Sequence, residues 1–416
     1  MKVKIEKSYV NCYYIILFSI LLFGYTIRSS IFYSVFGYMN IIFYICMSII
    51  LLRWVKYINF NIIIVAIIFS CIVYVDILTC STFEKFITSI LTFVLPLLLF
   101  CVDYKRIVKN KERFIYKSIK ILNFFVLVIF CYMIVDLFSG CLLTKTLSII
   151  FPKLIEYIPN DTGFLQFRSV SYLGHELYTK HFILVFYILN MLYLRITFKA
   201  LMNIMFVHII SIIGMALSGS KLGILILLFL IICFNFKSKN RFINFILIFI
   251  GLLIINFLGV FDFVINRFTT TTLTTGRFLA WDMISETLPN IKLLGGSGEN
   301  LTANLLETFN QTQVTAALEY PFRTWLYRYG FIPTILILYE LYFKLFYKFI
   351  KSKNMIFIIS YFVIIVETSA FNQLVYNPDF CIAIIMWNII LDCMFNLYQA
   401  KKDSLGEESH DKEIIK

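Results

Sequence analysis

Apolar residues in this chain come in long blocks, not in the short alternations of elements that keep one face in water. Twelve blocks are long enough, as helices rising 1.5 Å per residue, to cross about 30 Å of hydrocarbon. They fall at about residues 9–27, 31–52, 58–78, 86–102, 121–138, 177–194, 200–217, 219–236, 242–260, 322–343, 355–371 and 380–398. The pattern predicts an all-α polytopic membrane protein with about twelve transmembrane helices. Residues 1–400 read as one membrane domain, and 401–416 as a polar, disordered cytoplasmic tail. No internal repeat and no separate soluble domain is evident.

The basic residues orient the blocks. With the N-terminus inside, 25 of the 37 Lys and Arg become cytoplasmic, among them Lys105, Arg106, Lys109, Lys111, Arg113, Lys117 and Lys120. Reversing the chain would place that cluster outside, against the positive-inside rule. Both termini are therefore expected in the cytoplasm. Lys2, Lys4 and Lys7 precede the first block, which reads as an uncleaved signal-anchor because no small-residue cleavage site follows. Two long extracytoplasmic loops result, at about 139–176 and 261–321.

Composition agrees with this reading. A 416-residue chain that is 60% hydrophobic and 15% charged, with mean hydropathy +0.86, cannot cover a soluble surface. The net charge of +13 raises nucleic-acid binding, but the basic residues lie in short loops between apolar blocks. Nine of the ten cysteines lie in or beside apolar blocks and none forms a CxxC pair, so neither a disulfide framework nor a zinc site is indicated.

The outer segments hold the candidate chemistry. Arginines gathered on that side run against the usual bias, and an anionic substrate at the outer face is the simplest reason for them. Arg168 opens a polar run that ends at His175-Glu176, and Ser218-Gly219-Ser220-Lys221 forms a tight turn into a helix. A helix N-terminus favours anions, and Lys221 there would strengthen the preference, although a Lys snorkelling to the interface fits the position equally well. The second long loop carries Arg267, a threonine-rich patch at Thr269–Thr275, an amphipathic helix expected over Phe278–Thr287, and Gly295-Gly296-Ser297-Gly298 as a loop hinge. Glu319, Arg323 and Arg328 follow; burial of an arginine at membrane depth costs roughly 2.5–3.5 kcal/mol, so such residues usually face a polar cavity. The competing reading is structural pairing with Glu319, Glu367 or Asp379. Asp76, Glu84 and Asp136 lie near outer helix ends and serve either a site or the interface. No Asp-x-Asp pair or carboxylate cluster suits a divalent cation, so charge on a departing phosphate would fall to Arg and Lys.

Taken in order, these motifs resemble the O-antigen ligase/polymerase superfamily, in particular the Wzy-type O-antigen and capsular polysaccharide polymerases. Ser-Gly-Ser-Lys221 matches a small-hydroxyl motif ending in Arg or Lys. Gly276-Arg277…Trp281 and Leu294-Gly295-Gly296-Ser297-Gly298 match Gly-Arg…Trp and Gly-x-Gly features of a late outer loop. Arg168 matches an Arg before the mid-chain span. The ligase-like pattern has a His-Asn pair eleven residues before a helix-opening Gly, and counting back from Gly330 lands on Glu319-Tyr320.

The resemblance implies a metal-independent, cofactor-free glycosyltransferase of the GT-C kind in the bacterial plasma membrane. It would join undecaprenyl-diphosphate-linked repeat units at the outer face, for O-antigen or capsule, working beside a flippase and a chain-length regulator. Glu319 is the implied base, with His175 as its alternative, and Arg277 is catalytic. Arg168, Lys221, Arg267, Arg323 and Arg328 would bind diphosphate or acidic sugar. A ligase acting on another acceptor is the nearest alternative, and a lipid-linked oligosaccharide flippase or other transporter the alternative from a different class.

Overall fold

The computed structural model describes residues 2–31, 40–79, 82–157, 169–235, 249, 277–288, 290–370 and 378–414. Among them every regular element is helical, and the one extended pairing is an isolated antiparallel bridge, Ile58 to Val102. Four of the described helices are long and apolar enough to cross a membrane: Asn61–Thr79, Lys111–Ser139, Glu176–Thr197 and a stretch, Asp379–Asp403, within the last helix. Shorter apolar helices overlap other predicted blocks, including Ile41–Trp54, Ile204–Leu217, Lys221–Asn235 and Met355–Ser369. The block at 242–260 lies outside the described residues.

Burial sorts the helices into centre and rim. In Glu176–Thr197 and Asp379–Asp403, 89% of the apolar window is buried, against 28% for Asn61–Thr79. Glu176–Thr197 packs against Lys111–Ser139, Ile204–Leu217, Lys221–Asn235, Met355–Ser369 and the last helix. It is the axial element of the bundle. A rim helix needs no amphipathic pattern where its outer side meets lipid, which is why Asn61–Thr79 is apolar all round.

The blocks predicted at 9–27 and 86–102 are divided, the first between Leu22 and Tyr25 and the second into Phe83–Ser89, Ile90–Val94, Leu95–Leu97 and Leu98–Cys101. Three further elements depart from the sequence reading. The last helix runs Pro378–Ile414, across the segment expected to be disordered after Lys401. An existing helix extends without a new nucleation cost, and the segment holds Lys, Glu and Leu but no proline. The second long loop also has a small core of its own. Ala280, Ile284, Leu301, Leu305, Val314 and Ala317, from the helices Arg277–Ser285, Leu301–Leu306 and Gln311–Ala317, pack together with Leu318, the C-cap of the last. Asn310 and Gln313 close a reciprocal capping box at the start of the last of these.

The block predicted at 322–343 is the third departure, because it is broken. Pro321–Tyr329 stops at Gly330, whose φ of 92° ends the helix, and Phe331–Leu338 begins anew before a π-helical turn, Tyr339–Phe343. A new helix start leaves backbone N–H groups without partners. Here the segment 292–297 supplies them. Phe331 N–H donates to Lys292 O (3.0 Å) and Ile332 N–H to Leu293 O (2.9 Å), while Pro333 has none to place. On the other side of the break, Gly295 N–H donates to Tyr329 O and Ser297 N–H to Tyr327 O, at 3.1 and 3.0 Å.

The glycine cluster is therefore a backbone clamp where a hinge was expected. A Cβ on Gly296 would strike the carbonyl oxygens of Tyr327 and Arg328. Gly296→Ala should destabilise the protein by about 1–3 kcal/mol, the usual cost of overpacking. A fluorescence-detected melting curve that does not move would show that the clamp yields freely.

Candidate functional site

The candidate site is assembled where the small core meets the broken helix. Arg277 begins one helix, and Glu319 lies just before another. The Nε of Arg277 donates to Glu319 Oε2 in an ion pair whose side chains are 18% and 20% exposed, so a ligand can reach both. One turn along from Arg277, Trp281 presents its ring to Arg323. The Arg323 guanidinium carbon sits 4.3 Å from the centre of Trp281, 4.8 Å from Tyr320 and 5.8 Å from Phe278. Phe278 and Tyr320 are themselves neighbours at 6.3 Å.

Aromatic faces hold a cation by their quadrupole without neutralising it. Arg323 has no carboxylate partner among the described residues, and its buried Nη1 has no hydrogen-bond partner. Arg277 has its charge matched by Glu319, whereas Arg323 keeps its charge available. The competing structural reading, in which Glu319 pairs with Arg323, does not hold: Glu319 pairs with Arg277.

Arg328 has a different position. Its side chain is 2% exposed, and Nη1 donates to Glu299 Oε1 at 2.6 Å, an oxygen that also accepts from Tyr329 Oη at 3.2 Å. Glu299 follows the clamp, so this buried pair fastens the clamp to the broken helix. Asn300 beside it donates to the Thr79 carbonyl, capping the C-terminal end of Asn61–Thr79. Arg328, expected in the anion-binding pool, is thus placed to hold the clamp.

The remaining predicted residues lie elsewhere or outside the described residues. His175 is the N-cap of Glu176–Thr197, and its Nδ1 accepts from Leu177 N–H at 3.2 Å. Lys221 is buried at the first turn of Lys221–Asn235, which packs against the helix that His175 caps. Arg168, Arg267, Gly276 and Thr269–Thr275 fall outside the described residues, as does the side chain of Glu84. Asp136 caps the next helix, accepting from Leu143 N–H (2.8 Å) and Thr144 N–H (3.3 Å), and Asp76 accepts from Ser89 Oγ.

Two buried charge networks escaped the sequence reading. Glu367 Oε1 is 2.9 Å from Lys180 Nζ, and its Oε2 is 2.7 Å from His181 Nδ1; all three side chains are at most 2% exposed. His181 Nε2 accepts from Trp387 Nε1–H at 3.1 Å. Arg28 Nη1 meets Asp379 Oδ2 at 2.5 Å, and Asn40 donates to Asp379 Oδ1 at 3.0 Å. Glu367 and Asp379, weighed as partners for Arg323 or Arg328, pair with these cations instead. An ionisable residue inside an apolar block is itself a signal, and Lys180 carried it.

Among the described residues no group of three His, Cys, Asp or Glu is placed to hold a metal ion. The fold and site define an all-helical protein that has, among the described residues, four helices long and apolar enough to cross a membrane, and a caged arginine beside an arginine–glutamate pair. No family model, curated protein or solved structure matches the chain.

Proposed function

We propose that this protein is a membrane glycosyltransferase that polymerises oligosaccharide units carried on undecaprenyl diphosphate, at the outer face of the bacterial plasma membrane. The observation that carries the reading is Arg323, a cation held by three aromatic rings and, among the described residues, left without a carboxylate, next to the Arg277–Glu319 pair. An anion receptor and a carboxylate base are the two groups such a reaction needs.

In this reading the acceptor hydroxyl attacks the anomeric carbon of the donor glycan, and the bond from that carbon to the diphosphate oxygen breaks. The hydroxyl proton passes to Glu319, and the lipid diphosphate leaves as an anion. Arg323 stabilises the developing charge, and guanidinium donors can meet phosphate oxygens in pairs. An arriving diphosphate offers Arg277 a second acceptor and so loosens its hold on Glu319. The small core beside the site, built by helices Arg277–Ser285 and Gln311–Ala317, positions both groups on rigid elements.

A broken helix also occurs in transporters, where freed backbone groups meet the cargo. At Gly330 those groups are taken by Lys292 and Leu293, which favours the enzyme reading over a flippase. Deletion of the gene followed by glycan analysis tests the proposal and separates polymerase from ligase. The expected phenotype is loss of long chains with survival of a capped single unit. Complementation with Arg323→Ala should fail at wild-type abundance, and Arg323→Lys should fail nearly as badly because a point charge does not reproduce the fork. Lipid-linked polymer left uncapped would assign a ligase, and unchanged glycans would remove the proposal.

A further inference from the structure

A second polar site lies along the broken helix, away from the caged arginine. Ten residues beyond the break at Gly330, about 15 Å at 1.5 Å per residue, Glu340 sits in the π-helical turn Tyr339–Phe343. Such turns concentrate at functional positions. Glu340 lines a cavity of about 320 Å³ with Asn388, Asp392, Lys344, Tyr104 and Phe60. That volume is at the lower end of the range for small-ligand pockets, roughly 300–1,000 Å³.

Most charges around the cavity are already matched. Lys348 bonds Asp392 and, at 2.7 Å, Asn396. Tyr104 donates to Asp392, and burial holds its hydroxyl well above its ordinary pKa, so it remains a donor. Lys344 bonds Asn61 and lies 3.5 Å from Glu340 Oε2. Two acceptors are left over. Glu340 Oε1 and Asn388 Oδ1 are both buried, in residues only 3% exposed, and neither has a hydrogen-bond partner among the described residues. Asn388 is held in place by its other end, where Nδ2 donates to Leu341 O at 2.7 Å.

We infer that this cavity binds an uncharged, hydroxyl-rich ligand, of the class of a sugar ring, through Glu340 Oε1 and Asn388 Oδ1. Two bare acceptors require a ligand that donates. A cationic ligand would meet the Lys344 ammonium already beside the same carboxylate. An anionic one would meet two oxygen lone pairs. A neutral polyol donates to both oxygens and still has oxygens to offer the lysines. Phe60, 71% exposed at the cavity, provides an apolar face for a sugar ring. The inference does not depend on the reaction proposed for the caged arginine.

The test is ligand-dependent thermal unfolding of the full-length protein in a detergent without a sugar head group. Glucose, galactose, N-acetylglucosamine and glycerol are the probes, with sodium and choline chlorides as cationic controls. At least one sugar should raise the melting temperature saturably. Its apparent affinity should fall about tenfold or more in Glu340→Gln and Asn388→Ala, and also in Phe60→Ala, an exposed position where folding is not at risk. Arg323→Ala should bind the sugar as wild type does, which keeps this result separate from any failure at the other site. In phosphatidylglycerol nanodiscs, protection of residues 339–345 from hydrogen exchange by glucosyl-diacylglycerol but not by free glucose would assign the sugar to a lipid head group; the reverse would assign a free sugar. A response to sodium or choline alone, no saturable response to any sugar, or a sugar response unchanged in all three cavity variants would overturn the inference.

Discussion

Glu319→Gln should cut chain extension by about 10² to 10⁴, the span that general-base catalysis typically contributes, with membrane abundance unchanged. The substitution keeps the volume and leaves a carbonyl oxygen able to accept from Arg277 Nε. What it removes is basicity. The donor lipid should still bind, because Arg323 holds its charge through Trp281, Tyr320 and Phe278 rather than through Glu319. The loss is therefore expected in kcat with little change in KM. Were Glu319 only a counter-ion, Gln would lower abundance or melting temperature together with activity. Purified Glu319→Gln enzyme extending chains at the wild-type rate would exclude Glu319 as the base and turn attention to His175.

The largest effect on stability is expected at Glu367. Removing one member of a buried charge network leaves the others uncompensated, at a cost of about 3–5 kcal/mol. Glu367→Leu would strand Lys180, whose ammonium is 2.9 Å from the carboxylate, and would leave His181 without its partner at Nδ1. Lys180→Met combined with Glu367→Leu should recover much of the loss, since an apolar pair of similar size replaces the ions. Melting curves of the single and double variants check this. Equal destabilisation in both would mean that the network does not act as a coupled unit.

The all-helical, apolar character of the fold was legible because apolar blocks announce themselves locally. The count of about twelve spans was not, and among the described residues four helices are long and apolar enough to cross a membrane. Glu176–Thr197 falls where the hydropathy placed it, and Lys111–Ser139 covers the block at 121–138 but starts well before it, within the basic cluster. Less legible was what depends on distant partners. Gly330 and Pro333 lie inside the block read as one helix at 322–343, and nothing in the sequence said that the helix would break there or that residues 292–297 would satisfy the exposed backbone groups. The Arg277–Glu319 pair joins positions 42 apart, and the His181–Glu367 pair joins positions 186 apart. No local pattern encodes either. Position just inside an apolar block made Arg323 and Arg328 look alike, yet aromatic residues surround one and Glu299 neutralises the other. Their different roles follow from neighbours, not from residue type.

Chain extension by purified protein in proteoliposomes, supplied only with undecaprenyl-diphosphate-linked repeat units and a metal chelator, is the most direct test of the proposed chemistry. The predicted result is a ladder of lipid-linked polymer from wild-type protein that persists under chelation and is absent with Arg323→Ala. A ladder equally long from Arg323→Ala, or one abolished by the chelator and restored by magnesium, would contradict it.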